Sequence, residues 1–188
     1  MRSSTGYKLA NAIWYQIVWF TALLGRENWE PLLFLLLGLH FVFSPRKKAD
    51  TLLMLACGSI GIIADSLLAS AGVYLFSPEP SVLPIPVWLA VIWLAFCCTL
   101  LHSFSFVVAR PAIGPISISL LAPFSYLAGQ KLGAVSFGTE TPSAMLAIAG
   151  SWLVVMSLIS ALTRRVDQHT HQDGEKFDTP EMHRALSR

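Results

Sequence analysis

Charge is what this sequence has least of. Only 13% of its 188 residues are Asp, Glu, Lys or Arg, roughly half the share of an ordinary soluble domain. Between Asp50 and Arg110 only Asp65 and Glu79 carry charge. That scarcity, with a mean hydropathy of +0.60, argues against a solvated globular domain and for an integral membrane protein with a single domain. Internal repeats and low-complexity tracts are missing. So are the signatures of hydrolases of soluble substrates: there is no G-x-S-x-G, no H-E-x-x-H and no pair of intramembrane aspartates. The three cysteines, Cys57, Cys97 and Cys98, match no zinc or redox spacing and read as small buried apolar residues. The net charge of +2 has its basic residues at segment edges, so nucleic acid is not expected as a partner.

What is present is a succession of apolar runs. Six can be drawn, over Leu9–Leu24, Trp29–Ser44, Thr51–Phe76, Pro86–Val108, Ile113–Val135 and Ser143–Leu162. The fold expected is all-α, a multi-pass transmembrane bundle of about six helices over residues 1–163, with a flexible polar cytoplasmic tail over 164–188. The first run contains Asn11, Tyr15 and Gln16 and is followed by no small-x-small cleavage site, so it reads as a retained helix rather than a signal peptide. The second is short, with Asn28 as its expected N-cap, Pro31 in its first turn and Ser44-Pro45 as its stop. The fifth carries Pro115, Pro123, Gly129 and Gly133, which predict a kinked or split helix.

Lysine and arginine set the orientation. With six spans and a cytoplasmic N-terminus, the outer side keeps only Arg26 and Lys131. A rival in which the second run re-enters without crossing, with the N-terminus outside, scores nearly as well. Both put "SPRKKAD" and the C-terminal tail in the cytoplasm. His169, His171 and His183 in that tail lack metal-ligand spacing as a set, and no residue is assigned as a metal ligand.

Polar residues inside the apolar runs are the candidates for function. Gly58, Gly61, Asp65, Ala69 and Gly72 recur at helical steps, a small-residue stripe with an acid at its centre. Asp65 either ties helices together by a hydrogen bond or handles protons or a ligand. In the fourth run Trp88, Ile92, Ala95, Thr99, His102 and Phe106 share one helical face, with Ser103 beside it. Counting 1.5 Å per residue, His102 lies about 9 Å and His40 about 6 Å inside the same end. Depth thus groups Asn11, Tyr15, Gln16, His40, His102 and Ser103 in the cytoplasmic leaflet, with Asp65 deeper. The candidates for catalytic roles are Asp65, His102 and His40, and those for substrate contacts are Asn11, Tyr15, Gln16, Thr99, Ser103 and Tyr126. The bland alternative for each histidine is one buried hydrogen bond. The Gly129–Gly133 pair reads as a packing motif.

Read in order, "NAIWYQIVWF", "ADSLL", "PIPVWLAVIWLAFCCTLLHS" and "GPISISLLAPFSYLAGQKLGAV" resemble the bacterial inner-membrane family called domain of unknown function 2878, over residues 9 to 160. The resemblance implies topology and localisation and brings no catalytic residue with it. The function expected is a lipid-related enzyme or accessory protein with a polar site in the cytoplasmic leaflet. A small proton-coupled carrier and a non-catalytic scaffold subunit are the alternatives. Whether it is an enzyme, and which cofactor it uses, the sequence leaves open. Membrane lipids are the expected partners, with a second membrane protein as a further one.

Overall fold

An eleven-residue helix with no polar face has to be covered on every side, and it organises the rest. The computed structural model describes residues 4–177, with side chains described through residue 168. In it α4 (Val87–Cys97) buries nine of its eleven residues, as a helix that is apolar all round must. Three helices pack directly on it: α1 (Thr5–Gly25), α2 (Glu30–Phe43) and α3 (Lys47–Ser70). Outside these, α7 (Thr141–Phe177) packs on α3, and α6 (Ile113–Lys131) packs on α7. A single helical turn, α5 (Ser105–Ala109), joins α4 to α6.

The long helices alternate between two ends. At the first, the start of α1 meets the α4–α5 link, where Lys8 Nζ donates to Ser105 Oγ at 3.3 Å. The start of α3 meets α7 there, through an ion pair of Arg46 with Asp167 at 2.7 Å. At the second end a 3-10 turn over Arg26–Trp29 leads into α2. Nearby, β1 (Tyr74–Leu75) pairs antiparallel with β2 (Ser136–Phe137), and Arg26 Nη2 donates to the Leu132 carbonyl at 2.9 Å. The start of α1 and the start of α3, with Arg46, Lys47 and Lys48, therefore share one end. The rival with a re-entrant second run would have put them at opposite ends.

Several local expectations are corrected. The fourth run is not one helix. After Cys97 the backbone closes i to i+3 bonds, Thr99 N to the Phe96 carbonyl and His102 N to the Thr99 carbonyl, both 2.9 Å, and the Thr99 hydroxyl also bonds the Phe96 carbonyl. Such local bonds compete with helix continuation. The face drawn through Thr99, His102 and Phe106 therefore ends at Ala95. The fifth run is not split: α6 continues through Pro123, and Pro115 lies in its first turn, where an amide N–H has no helical partner. Gly133 is not on a helix face. Its φ of +69° ends α6 in the left-handed conformation that glycine adopts without strain. Asn28 lies within the 3-10 turn, and Trp29 precedes α2.

α3 begins four residues before the expected Thr51, which brings Asp50 into its first turn. Helix α7 runs on past Thr163 to Phe177, with Val166 buried and Asp167 paired. Residues 178–188, His183 among them, and the side chains of His169 and His171 lie outside the described part.

Candidate functional site

The polar residues fall into three groups. The first is at the end shared by the starts of α1 and α3. His40 comes from the last turn of α2, Asp50 from the first turn of α3 and His102 from the α4–α5 link. His40 Nε2 lies 3.0 Å from Asp50 Oδ2. His102 Nε2 lies 2.9 Å from the same oxygen and 3.1 Å from Oδ1. A carboxylate only accepts, so each imidazole donates through Nε2. The Ser44 hydroxyl donates to Oδ2 as well. All three residues are buried, Asp50 and His102 completely. Aromatic rings wall them in: Tyr7 stands edge-on to His102 at 4.9 Å, and Trp14 lies against His40 at 4.7 Å. Among the described residues, His40, Asp50 and His102 form the one group of three with metal-ligating atoms in mutual reach.

Depth groups the two histidines correctly, but their common partner is Asp50, which the run boundaries place in a solvated loop. A signal is available. The inward face of α3 continues backward from Gly58 and Cys57 through Leu53 to Asp50, and all of these are buried. One helical period beyond Leu53 reaches the carboxylate.

The second group is a smaller tie beside the first. Asn11 Oδ1 accepts from the Ser103 hydroxyl at 2.7 Å and from its N–H at 3.3 Å. Asn11 Nδ2 donates to the Cys98 carbonyl at 3.4 Å. This holds the irregular α4–α5 link against α1. Thr99 spends its hydroxyl on the backbone of that link. Tyr15 and Gln16 belong elsewhere, on the wall of an apolar cavity.

The third group surrounds Asp65, fifteen residues along α3 from Asp50, or about 22 Å at 1.5 Å per residue. Trp93 Nε1 donates to its Oδ2 at 2.7 Å, and the Tyr126 hydroxyl at 2.6 Å. The Tyr74 hydroxyl donates to the Asp65 carbonyl at 3.2 Å. Asp65 thus joins α3 to α4, α6 and β1, while its Oδ1 has no hydrogen-bond partner among the described residues. Gly61 makes room for this: a Cβ there would stand 2.1 Å from the Trp93 ring. Asp65 and the histidines are two separate centres.

Between α1 and α6, floored by α4, lies a cavity of about 470 Å³. Its walls are chiefly apolar and rich in aromatic rings, with Tyr15, Trp19, Phe96, Phe104, Tyr126 and Trp152 among them. Trp93 is in the same wall and stacks on Trp152 at 4.5 Å. One end of the cavity reaches Phe104, two residues beyond His102, and Tyr126 connects its wall to Asp65. The cysteines are free and buried, as expected.

The chain is therefore a mostly helical protein with, among the described residues, two helices long and apolar enough to cross a membrane, Lys47–Ser70 and Thr141–Gln168, and a buried His–Asp–His centre. It belongs to the family described as protein of unknown function DUF2878, whose model matches residues 8–158. No curated protein and no solved structure matches it.

Proposed function

We propose that the chain is a multi-pass protein of the bacterial inner membrane that handles lipid. In this reading the aromatic cavity takes an apolar chain, and the His40–Asp50–His102 centre, facing the cytoplasm, serves the polar head. The cavity carries the reading. Its 470 Å³ falls within the range of about 300–1,000 Å³ for small-molecule sites, and its walls offer an apolar ligand far more than a charged one. The outer surfaces support a lipid surround. Leu9, Ile13, Ile17, Phe20 and Leu24 form one exposed stripe along α1, and Ile113, Ile116, Leu120 and Phe124 another along α6. Only 28% of the apolar window of α3, and the same share of α7, is buried inside the protein, whereas the core helix of a soluble protein is mostly covered. Arg46, Lys47 and Lys48 at the histidine end favour the cytoplasm for that end.

Native mass spectrometry of detergent-purified protein tests this. Wild type is expected to carry co-purified lipid, and Ala122→Phe, which fills the cavity beside Tyr126, to carry several-fold less at equal folded yield. Equal lipid in both proteins would remove the cavity from the account. A reporter fused after Lys48 is expected to read cytoplasmic, and a periplasmic signal there would reverse the orientation.

One observation favours a second reading, a proton-coupled carrier. Asp65 is buried with Oδ1 unpartnered, and ionisable groups inside membrane bundles commonly mark transport paths. The cavity weighs against a purely structural scaffold.

A further inference from the structure

We infer that His40, Asp50 and His102 form a binding site for a divalent first-row transition-metal ion of the zinc type. The inference is independent of what fills the aromatic cavity.

It begins with crowding at one oxygen. Asp50 Oδ2 receives His40 Nε2 at 3.0 Å, His102 Nε2 at 2.9 Å and the Ser44 hydroxyl, while Oδ1 has only the longer approach of His102 at 3.1 Å. A carboxylate oxygen offers two lone pairs, and a helix tie needs one donor. Two imidazoles from different elements, both presenting Nε2 to the same carboxylate, is more than such a tie requires.

The two imidazole–carboxylate distances are those of a ligand shell drawn slightly inward. Zinc binds histidine nitrogen and carboxylate oxygen at about 2.0–2.2 Å, which places ligand atoms of a tetrahedral site about 3.3 Å apart. One ligand atom from each of the three residues lies within 4.8 Å of the others. The two imidazole–carboxylate pairs would open by a few tenths of an ångström, and the two imidazole nitrogens would settle to the same edge, to admit the ion.

The donor set selects the kind of ion. Two imidazole nitrogens and one carboxylate oxygen suit zinc, iron, cobalt or manganese, whereas calcium and magnesium prefer all-oxygen shells. Ser44 Oγ stands next to the carboxylate, as a fourth ligand or as the group that orients Asp50. Three protein ligands leave a coordination position that water or a substrate oxygen can take. Aromatic packing by Tyr7 and Trp14 would hold the imidazoles in place, a role outer-shell groups have in metal sites. Ten residues separate His40 from Asp50 and fifty-two separate Asp50 from His102, a spacing that fits no local metal-binding motif.

The test uses the full chain, purified in detergent without chelator or a histidine tag, with metal measured by inductively coupled plasma mass spectrometry. Close to one equivalent of a transition metal per chain is expected. After chelation, reloading with cobalt(II) should give the visible d–d absorption of a low-coordinate nitrogen–oxygen site. His40→Gln and His102→Ala are expected to weaken cobalt binding more than about tenfold, since even outer-shell changes in metal sites cost 10–100-fold. Asp65→Asn, at the other centre, should bind as wild type does. Wild-type protein that is substoichiometric in metal and shows no cobalt band overturns the site without recourse to any variant. A band that survives in both histidine variants overturns the assignment of ligands.

Discussion

Asp50→Ala is expected to abolish most of the folded protein. The change leaves His40, His102 and Ser44 facing an apolar methyl group, all buried and all deprived of the acceptor they share. Removing one partner from a buried ionic or hydrogen-bonded cluster typically costs about 3–5 kcal/mol, a large part of the roughly 5–15 kcal/mol that holds a domain together. Asp50→Asn keeps an oxygen acceptor but sets an amide NH₂ against a donor, and is expected to cost about 1–3 kcal/mol. Thermal melting followed by fluorescence-detected gel filtration ranks them. Wild type should be most stable, Asp50→Asn intermediate and Asp50→Ala lowest, with little monodisperse protein recovered. If Asp50→Ala melts as wild type does, the cluster contributes nothing to the bundle.

The second large effect is expected at Gly61. Its added Cβ would meet three atoms of the Trp93 indole at 2.1–2.6 Å. Trp93 has nowhere easy to go, because its Nε1 is bonded to Asp65 and its ring is stacked on Trp152. Overpacking of this kind costs about 1–3 kcal/mol, and displacing the indole also removes one of the two donors to Asp65 Oδ2. Gly61→Ala alone and Trp93→Leu alone should therefore both destabilise. The double variant should be more stable than the sum of the two by about 1–2 kcal/mol, because the smaller side chain relieves the clash. Strict additivity would mean that α3 and α4 do not meet at these two residues.

Much of the fold is legible from apolar runs alone. The runs around α1, α2, α3 and α7 appear as helices because long apolar stretches admit little else, although the third run and its small-residue stripe are drawn through Gly72, which lies past the end of α3 with a φ of +72°. The break after Cys97 is not legible. Thr99 and Ser103 are compatible with a helix in pattern, and only the bonds they make to the Phe96 carbonyl and to Asn11 stop it. Proline in α6 points to a split that does not occur, since Pro115 falls in the first turn and the helix carries Pro123 in its interior. The histidines can be found because polar rings in apolar runs are costly and depth is additive along a helix. Asp50 escapes notice because it follows Arg46, Lys47 and Lys48, and a carboxylate beside three cations reads as solvated. Its burial depends on how α2 and the α4–α5 link close over it, which is tertiary information. Asp65 is visible at once, but its partners Trp93 and Tyr126 lie 28 and 61 residues away.

The claim that matters most is that function resides at the histidine centre rather than at Asp65, and one paired measurement addresses it. A deletion strain is complemented with His102→Gln or with Asp65→Asn, and the membrane lipidome is compared with wild type at matched folded protein. The carboxamide introduced by Asp65→Asn still offers an oxygen to the Trp93 and Tyr126 donors, so this variant should fold and restore the wild-type profile. His102→Gln keeps a polar group of similar reach while losing the imidazole, and should fold yet leave the deletion profile in place. Restoration by His102→Gln together with failure of a well-folded Asp65→Asn would contradict the claim and move the functional centre to the carboxylate in the middle of α3.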